Sequence, residues 1–300
     1  MSSDLIKSPF NLADDEAYTQ WKLRKTADYP AHVRQLIAPI NKPACLSNQE
    51  KKRILDLCGQ TNMAVYQLDP AHSYSKMDIA ALAAQLGLKR LDCNLLADSD
   101  CFTTLRHDPA KNKRGYIPYS NRRINWHTDG YYNAPDKTIF GMLLHCERPA
   151  DIGGENALLD HEMAYIMLRD ENPEYVRLLM QPDAMTIPAN TEPGAVVRGE
   201  QSGPVFSVTP AGHLHMRYTA RTRSIRWKEN VREAVEALGE LLKSDSPWKF
   251  TVKLRKGQGL VCNNVLHTRT DFDQYVEQSE RLLYRARFHD RIEGARIGPM

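Results

Sequence analysis

The sequence lacks the marks of a disulfide scaffold and of a membrane protein. Its 300 residues include six cysteines and no Cys-x-x-Cys pair, whereas small disulfide-stabilised domains are far richer in cysteine. No stretch approaches the roughly 18 uninterrupted apolar residues of a membrane-spanning helix. The N-terminal segment has no apolar run of the kind that a secretory signal carries. We therefore predict reduced thiols, a cytoplasmic location and no membrane partner.

The sequence also has little net charge, +3 at pH 7, with 26% charged and 42% hydrophobic residues. These fractions are close to those of average globular chains. A general nucleic-acid binder would need a strongly basic face and a raised pI, so nucleic acid is not an expected partner. Internal repeats, low-complexity tracts and Gly/Ser linkers are absent as well. The composition favours one compact domain over residues 1–300.

Residues 1–95 read as a helical support around a short strand at 63–68. Ser47 with Glu50, and Ser75 with Asp78, have the spacing of helix N-terminal capping pairs, and they predict helices that begin at these points. A further charged helix is predicted over 14–25. We assign these helices to packing on the outside of a sheet.

Residues 96–290 change to a pattern of short strands. We expect them near 101–106, 115–118, 122–127, 138–146, 184–188, 204–209, 213–219, 249–254, 259–265 and 281–288, with helical insertions near 161–180 and 230–243. Many short strands with turn signals favour a sandwich or barrel over a parallel α/β sheet. The predicted fold is mainly β with flanking helices, a double-stranded β-helix or cupin-like jelly roll.

Two short segments carry a possible metal-ligand set, and they are NWHTDG with His127 and Asp129 and CNNVLHTRT with His267. Residues two apart on an extended segment point to the same side, so His127 and Asp129 can bind one ion together. Two imidazoles and one carboxylate occupy one face of Fe(II) and leave positions open for a co-substrate and O2. The order and spacing of the three residues together predict a 2-His-1-carboxylate iron site.

A predicted strand at 281–288 has an arginine-rich face formed by residues 281, 283, 285 and 287. A solvated basic face would explain this pattern, and so would a pocket for anions. In the second case Arg281 would bind a dicarboxylate co-substrate through a bidentate pair. Arg285 would then lie near the substrate.

Two other histidine pairs share a face and compete with this assignment. His145 and Glu147 follow a continuous apolar run, which favours a structural role at the end of a strand. His213 and His215 lack a carboxylate at comparable spacing, so they are read as surface residues of a hairpin. No cysteine pair joins the histidines, which argues against a closed zinc site.

Five ordered segments make the chain similar to the taurine dioxygenase/TfdA-like family of Fe(II)/2-oxoglutarate oxygenases. They are WHTDG (126–130), FGMLLHC (140–146), GGENALLD (153–160), NNVLHTRTDF (263–272) and RLLYRARF (281–288). The resemblance covers roughly residues 60–290, and parts of it are also similar to the γ-butyrobetaine hydroxylase branch. It implies a jelly roll with iron on His127, Asp129 and His267. It further implies that Arg281 binds the distal carboxylate of 2-oxoglutarate.

The resemblance also assigns residues around the co-substrate and the substrate. Taurine-type members have a threonine on the co-substrate where this chain has Asn156, whose amide can still donate a hydrogen bond. Arg285 matches the position that faces a sulfonate in those enzymes. Apart from the resemblance, Tyr131 and Tyr132 follow the iron motif and are candidates to line the pocket, with ordinary packing at its rim as the favoured alternative. Arg123, just before the motif, completes the candidate substrate-binding set.

The expected activity is hydroxylation of a C–H bond in a small anionic or zwitterionic substrate, of the sulfonate, betaine, amino-acid or aryloxy-acid type. The reaction would use Fe(II) as a cofactor, consume 2-oxoglutarate and O2 as co-substrates, and release succinate and CO2. A cupin-like metal-binding sensor, or an enzyme that does not use 2-oxoglutarate, remains an alternative. A nucleic-acid demethylase that uses the basic run 111–126 is a third. Related enzymes are often dimers or tetramers, so a homo-oligomer is expected.

Overall fold

A computed structural model describes residues 8–93, 97–106, 117–192, 195–221, 225–273 and 280–292. Its helices in chain order are α1 Asp15–Thr26, α2 Asn48–Thr61, α3 Lys76–Gln85, α4 His161–Glu171, α5 Pro173–Leu179 and α6 Arg232–Lys243. Single 3-10 turns lie at Val33–Leu36, Ile117–Tyr119, Pro135–Lys137 and Glu229–Val231. Within these ranges no helix is both long and apolar enough to cross a membrane.

The strands are short and follow one another along most of the chain. They are β1 Ile37–Pro39, β2 Met63–Gln67, β3 Thr103–Leu105, β4 Ile124–His127, β5 Gly141–Arg148, β6 Ile152–Gly153, β7 Asn156–Leu159, β8 Met185–Ile187, β9 Asn190–Glu192, β10 Ala195–Arg198, β11 Gln201–Gly203, β12 Phe206–Val208, β13 Leu214–Met216, β14 Arg226–Trp227, β15 Lys249–Val252, β16 Gln258–Cys262, β17 Leu266–Arg269, β18 Phe272–Asp273 and β19 Leu282–Phe288.

Two sheets form the body of the fold. The larger has six strands in the order β1-β2-β16-β5-β19-β3, and the smaller has four in the order β15-β7-β17-β4. Strands that are neighbours in a sheet are mostly distant in sequence, as in the predicted jelly roll. An ion pair between Arg285 of β19 and Asp129, which follows β4, joins the larger sheet to the smaller one.

The N-terminal helices begin where the capping pairs predict. The Ser47 side chain accepts a hydrogen bond from the Glu50 N–H, and Ser75 does the same for Asp78. Both caps satisfy backbone donors that a helix start leaves unpaired. Helices α2 and α3 bury one face each and leave the other exposed, as expected for helices packed on a sheet.

Helix α1 is attached to the core by a buried charge. The Lys25 ammonium is fully buried and lies 2.6 Å from Asp160 and 2.5 Å from Glu162 at the start of α4. Burial alone would lower the pKa of Lys25, but the two carboxylates outweigh that cost and the pKa is raised. This ion-pair cluster fixes the N-terminal support against the helical insertion.

Several sequence expectations need correction. The helix expected over 161–180 is two helices, because Asn172 caps the second one and Pro173 occupies its first position, which ends the first. The helix expected from 230 begins at Arg232, after a 3-10 turn. The strand expected over 115–118 is wrong at Ile117, where a 3-10 turn starts, and residues 115 and 116 lie outside the described residues.

Two further differences concern strand bounds and cysteines. The strand expected over 138–146 is Gly141–Arg148, and residues 138–140 connect it to a 3-10 turn at Pro135–Lys137. Cys93 and Cys101 form a disulfide, with Cα atoms 4.5 Å apart, so the expectation of reduced thiols throughout was wrong. The other four cysteines are free, and three of them are buried.

Candidate active site

The smaller sheet places the two candidate imidazoles side by side. β17 runs antiparallel to β4 with His267 directly opposite His127. Cross-strand partners in an antiparallel pair lie close together on the same face, and the two imidazole ring centres are 4.2 Å apart. A segment 140 residues downstream is therefore brought to the iron motif by strand pairing, and Asp129 joins it from just beyond the end of β4.

The ring nitrogens of both histidines are oriented in the same way. His127 Nδ1 lies 2.9 Å from the carbonyl oxygen of Asn125, and His267 Nδ1 lies 3.0 Å from that of Val265. A carbonyl oxygen only accepts hydrogen bonds, so each Nδ1 carries the proton and each Nε2 keeps a free lone pair. Metal-binding histidines are commonly held by such a bond at the other ring nitrogen.

Electrostatics keep the three groups in their metal-binding protonation states. Burial, together with the nearby His267, lowers the pKa of His127 to about 3, and burial also lowers the pKa of His267. Burial would raise the pKa of Asp129, but Arg285 and Arg287 outweigh it and hold the carboxyl well below its usual range. At neutral pH the cluster therefore consists of two neutral imidazoles and one carboxylate.

The donor set fits a divalent metal ion. One ligand atom from each of His127, Asp129 and His267 can be chosen so that all lie within 4.8 Å of one another. Asp129 Oδ2 is buried, and among the described residues it has no hydrogen-bond partner. An orphaned buried oxygen is costly unless a ligand satisfies it, so this atom supports the metal assignment.

The larger sheet faces this cluster with arginines. On β19, Arg285 pairs with Leu144 of β5 and Arg287 with Met142, so both side chains point to the same face of the sheet. Arg285 Nη1 lies 3.3 Å from Asp129 Oδ1, while its Nε is buried without a partner in the described residues. Arg287 donates to the Tyr132 hydroxyl over 2.8 Å and is paired with Asp92.

A cavity is lined by both candidate co-substrate residues, and the described lining does not include the three candidate metal ligands. Its lining includes Arg281, Asn156, Gly154 and Lys253. Asn156 donates one amide N–H to the Thr268 carbonyl over 2.8 Å, which anchors it to β17. The structure thus brings Arg281 and Asn156 to the same cavity, as expected for two residues that the family resemblance assigns to one co-substrate.

Glycines give this cavity its shape. Gly153 has a φ of +70°, and a Cβ built there would lie 2.1 Å from the carbonyl oxygen of Asp271. Only glycine fits such an approach without moving the backbone. The next residue, Gly154, has a φ of +76°, which favours glycine, and a Cβ there would make an ordinary contact of 3.7 Å with Arg281 Nε.

Arg269 is a residue of this region that sequence reasoning missed. It lies two residues after His267, and its guanidinium is 4.9 Å from the Phe272 ring centre, while that of Arg281 is 5.0 Å from the same ring. Arg269 donates to the Ser120 carbonyl over 2.7 Å and to that of Arg122. Burial, with the neighbouring Arg281, lowers the pKa of Arg269 to about 9. The His-x-Arg spacing on one strand was the available signal.

The candidate substrate residues do not all reach the site. Tyr131 and Tyr132 pack edge to face with ring centres 5.1 Å apart. Burial raises the pKa of Tyr131, and the nearby Arg221, which sequence reasoning missed, opposes that shift. Arg123 is exposed at the start of β4. No hydrogen bond or ion pair joins it to the ligand cluster in the described part of the chain.

The competing histidine pairs lie elsewhere. His145 pairs with Tyr284 across β5 and β19, so it faces away from Arg285 on the other side of the larger sheet. It is fully buried and its Nδ1 is 3.0 Å from the Tyr66 hydroxyl. His215 packs against Phe140 and lies on β13. The structural role predicted for His145 agrees with its position. The surface position predicted for His215 is wrong, because this residue is half-buried and burial lowers its pKa to about 3.

The chain matches the family model described as "Taurine catabolism dioxygenase TauD, TfdA family" over residues 30–287. It is 31% identical over 235 residues to a uridine-5'-phosphate dioxygenase from a Streptomyces species, covering 75% of this chain and 83% of that protein. It is 28% identical over 190 residues to a second uridine-5'-phosphate dioxygenase, from an Amycolatopsis species, covering 61% and 66%.

Among solved structures, the non-heme iron oxygenase OrfP in complex with Fe, succinate and (3S)-hydroxy-L-Arg superposes with a TM-score of 0.62 at 14% identity, over 82% of each chain. That likeness confirms the fold. The fold and the family match together define a cupin-like dioxygenase. The chain belongs to the TauD/TfdA family of Fe(II)/2-oxoglutarate-dependent dioxygenases.

Proposed function

We propose that His127, Asp129 and His267 hold Fe(II), that Arg281 and Asn156 hold 2-oxoglutarate, and that the enzyme hydroxylates a small anionic substrate near Arg285. The main observation behind this proposal is that three ligand atoms, which come from two segments distant in sequence, lie within 4.8 Å of one another. The solved OrfP structure, with Fe and succinate, supports the choice of metal and co-substrate.

Bound iron and 2-oxoglutarate together supply the chemistry that activates O2 and transfers one oxygen atom to a C–H bond, with release of succinate and CO2. The protein orients these partners and excludes water. Arg281 offers a planar fork of N–H donors to a carboxylate, a geometry that a lysine lacks. The carbonyl bonds to Nδ1 keep both imidazoles turned toward the metal throughout turnover.

The substrate class follows from the charges on β19. Arg285 has N–H donors that Asp129 does not use, and its side chain is 13% exposed. An anionic group on the substrate can occupy those donors. Since two relatives act on uridine-5'-phosphate, nucleoside 5'-monophosphates are the first candidates, and Tyr131 and Tyr132 offer faces for a flat ring. Sulfonates, betaines, amino acids and aryloxy acids follow.

The decisive experiment is a coupled succinate assay with Fe(II), ascorbate and 2-oxoglutarate over a panel of these substrate classes. The wild-type protein should form succinate, and faster with a true substrate. Asp129→Ala removes the only carboxylate of the cluster and should abolish turnover. Asp136→Ala, an exposed carboxylate on the following loop, serves as the control and should keep full activity. Unchanged succinate formation by Asp129→Ala would refute the metal assignment.

The same assay separates the alternatives. A metal-binding sensor would bind the ion but form no succinate with any substrate. Salt-dependent binding to single-stranded nucleic acid would favour the demethylase reading, much of whose basic run lies outside the described residues. A cytoplasmic location and a dimer or tetramer remain part of the proposal, and fractionation and sedimentation measure them directly.

A further inference from the structure

Asn264 lies three residues before His267 in an unusual backbone conformation. Its φ is +50°, in the left-handed region, and its side chain is almost fully buried at 1% exposure. Asparagine is among the few residues other than glycine that adopt this conformation at modest cost. A buried amide in a left-handed turn must find hydrogen-bond partners, because unpaired buried polar groups are costly.

All partners of the Asn264 side chain lie on the loop that carries Asp129. The Asp129 backbone N–H donates to Asn264 Oδ1 over 2.8 Å, and Asn264 Nδ2 donates to the Asp129 carbonyl over 2.9 Å. The same Nδ2 donates its other hydrogen to the Ile139 carbonyl over 2.7 Å. This pattern fixes the orientation of the amide. In a flipped side chain the NH2 group would face the Asp129 N–H, and the amide oxygen would face the two carbonyl oxygens.

These bonds fix both ends of one loop. Asp129 and Ile139 lie on either side of the segment 130–138, which carries Tyr131 and Tyr132. The turn after Asp129 is tight, because Gly130 has a φ of +70° and a Cβ there would lie 2.4 Å from Ile139 Cγ1. Asn264 thus closes the base of this loop while holding both backbone polar groups of Asp129.

The neighbouring asparagine has equal burial and a different set of partners. Asn263 is also 1% exposed. Its Nδ2 donates to Asn62 Oδ1 over 3.0 Å, and its Oδ1 accepts from the Ile292 N–H over 3.1 Å. Neither bond touches the Asp129 loop. Variants of the two adjacent asparagines can therefore distinguish an effect on the stability of the fold from an effect on the geometry of the metal ligand.

We propose that Asn264 is a positioning residue that sets the place of the Asp129 carboxylate relative to His127 and His267. The proposal rests on the proposed function, because it presumes that these three residues bind the metal. Asp129 follows the end of β4, beyond the strand pairing that fixes the two histidines. Its backbone is held instead by the Asn264 amide. Loss of that amide removes both bonds to the Asp129 backbone and leaves the ion pair with Arg285 to hold its carboxylate.

Metal affinity tests the proposal without catalysis. Co(II) and Mn(II) would be titrated into the full-length protein by absorbance and by calorimetry, for the wild type, Asn264→Ala, Asn264→Gly and Asn263→Ala. Thermal unfolding of each metal-free protein would be recorded in parallel. Residues that support a metal ligand typically contribute 10- to 100-fold to metal affinity. We expect a loss of at least about tenfold in both Asn264 variants, and less than about twofold in Asn263→Ala, even where its loss of thermal stability is as large.

Asn264→Gly keeps the proposal falsifiable if the alanine variant does not fold, because glycine adopts the left-handed conformation freely. Wild-type affinity in Asn264→Gly would overturn the positioning role. An equal loss in Asn263→Ala would also overturn it, since general loosening would then explain both variants. If the wild type itself binds neither ion, the proposed function fails, and that result is distinct from either of the others.

Discussion

Two buried cationic regions of the molecule differ in whether they have counterions. Lys25 is enclosed with Asp160 and Glu162 at ion-pair distance. Arg281 and Arg269 are 4% exposed each, and in the described part of the chain no ion pair joins either of them to a carboxylate. Burial lowers the pKa of Arg281 to about 10, which reflects the cost of holding its charge.

The difference distinguishes a buried cation that stabilises the fold from a buried cation that is available to bind a ligand. A buried ion pair is complete within the fold, and removing one partner leaves the other uncompensated. A buried guanidinium without a carboxylate is completed only when an anion arrives. Arg281 lines a cavity together with Asn156 and Lys253, and a dicarboxylate co-substrate has the charge that would complete it. The comparison predicts opposite responses to mutation in the two regions.

The largest expected effect on stability is at the structural cation. Lys25→Met should lower the free energy of unfolding by about 3–5 kcal/mol, because Asp160 and Glu162 then remain buried without a cation. Urea unfolding measures this change. Lys22→Met on the same helix is the matched control, since Lys22 pairs with Asp170 at the surface and exposed pairs contribute at most about 1 kcal/mol. Equal losses in the two variants would contradict the comparison.

For Arg281, mutation should weaken ligand binding and leave the stability of the fold unchanged or higher. Arg281→Met should weaken 2-oxoglutarate binding by roughly 100-fold, within the 2–5 kcal/mol range for loss of one partner of a buried charge pair. The free energy of unfolding of the metal-free protein should not fall, because an uncompensated charge is removed. Calorimetric titration with 2-oxoglutarate and urea unfolding measure the two effects. Arg232→Met, at an exposed position, should change neither, and a stability loss in Arg281→Met with unchanged binding would make Arg281 structural.

A third buried group, His145, is kept neutral by its surroundings. Burial lowers its pKa to about 4, below the value of about 6.5 for an exposed histidine. Between these values the unfolded chain binds the additional proton, so stability is full above about pH 6.5 and is lost as the pH falls. From pH 7.5 to pH 5 this group should cost about 2 kcal/mol.

Urea unfolding at both pH values checks this loss. His145→Phe should reduce the pH dependence by that amount, and Leu23→Ala, at an exposed apolar residue, should leave it as in the wild type. Identical pH dependence in the wild type and His145→Phe would show that His145 does not contribute.

The sequence allowed the fold class and the family to be predicted, and both are confirmed. Local patterns sufficed where the signal was local, as with Ser47 and Ser75 at helix starts. The end of the first helix at Asn172 was missed, although Pro173 is a typical helix-breaking signal, because the apolar positions continue on both sides. Lys25, Asn264 and Arg269 could not be assigned roles, since their partners lie far away in sequence. The short strands β7 and β17 were missed because their apolar residues are too few to show a period.

The proposed iron ligands and the arginines come from different sheets. β4 and β17 carry the two histidines, whereas β19 carries Arg285 and Arg287. Because Arg285 is paired with Asp129, a substitution at this position acts on both walls at once. A change of substrate preference made through Arg285 therefore has to leave the Asp129 carboxylate in place.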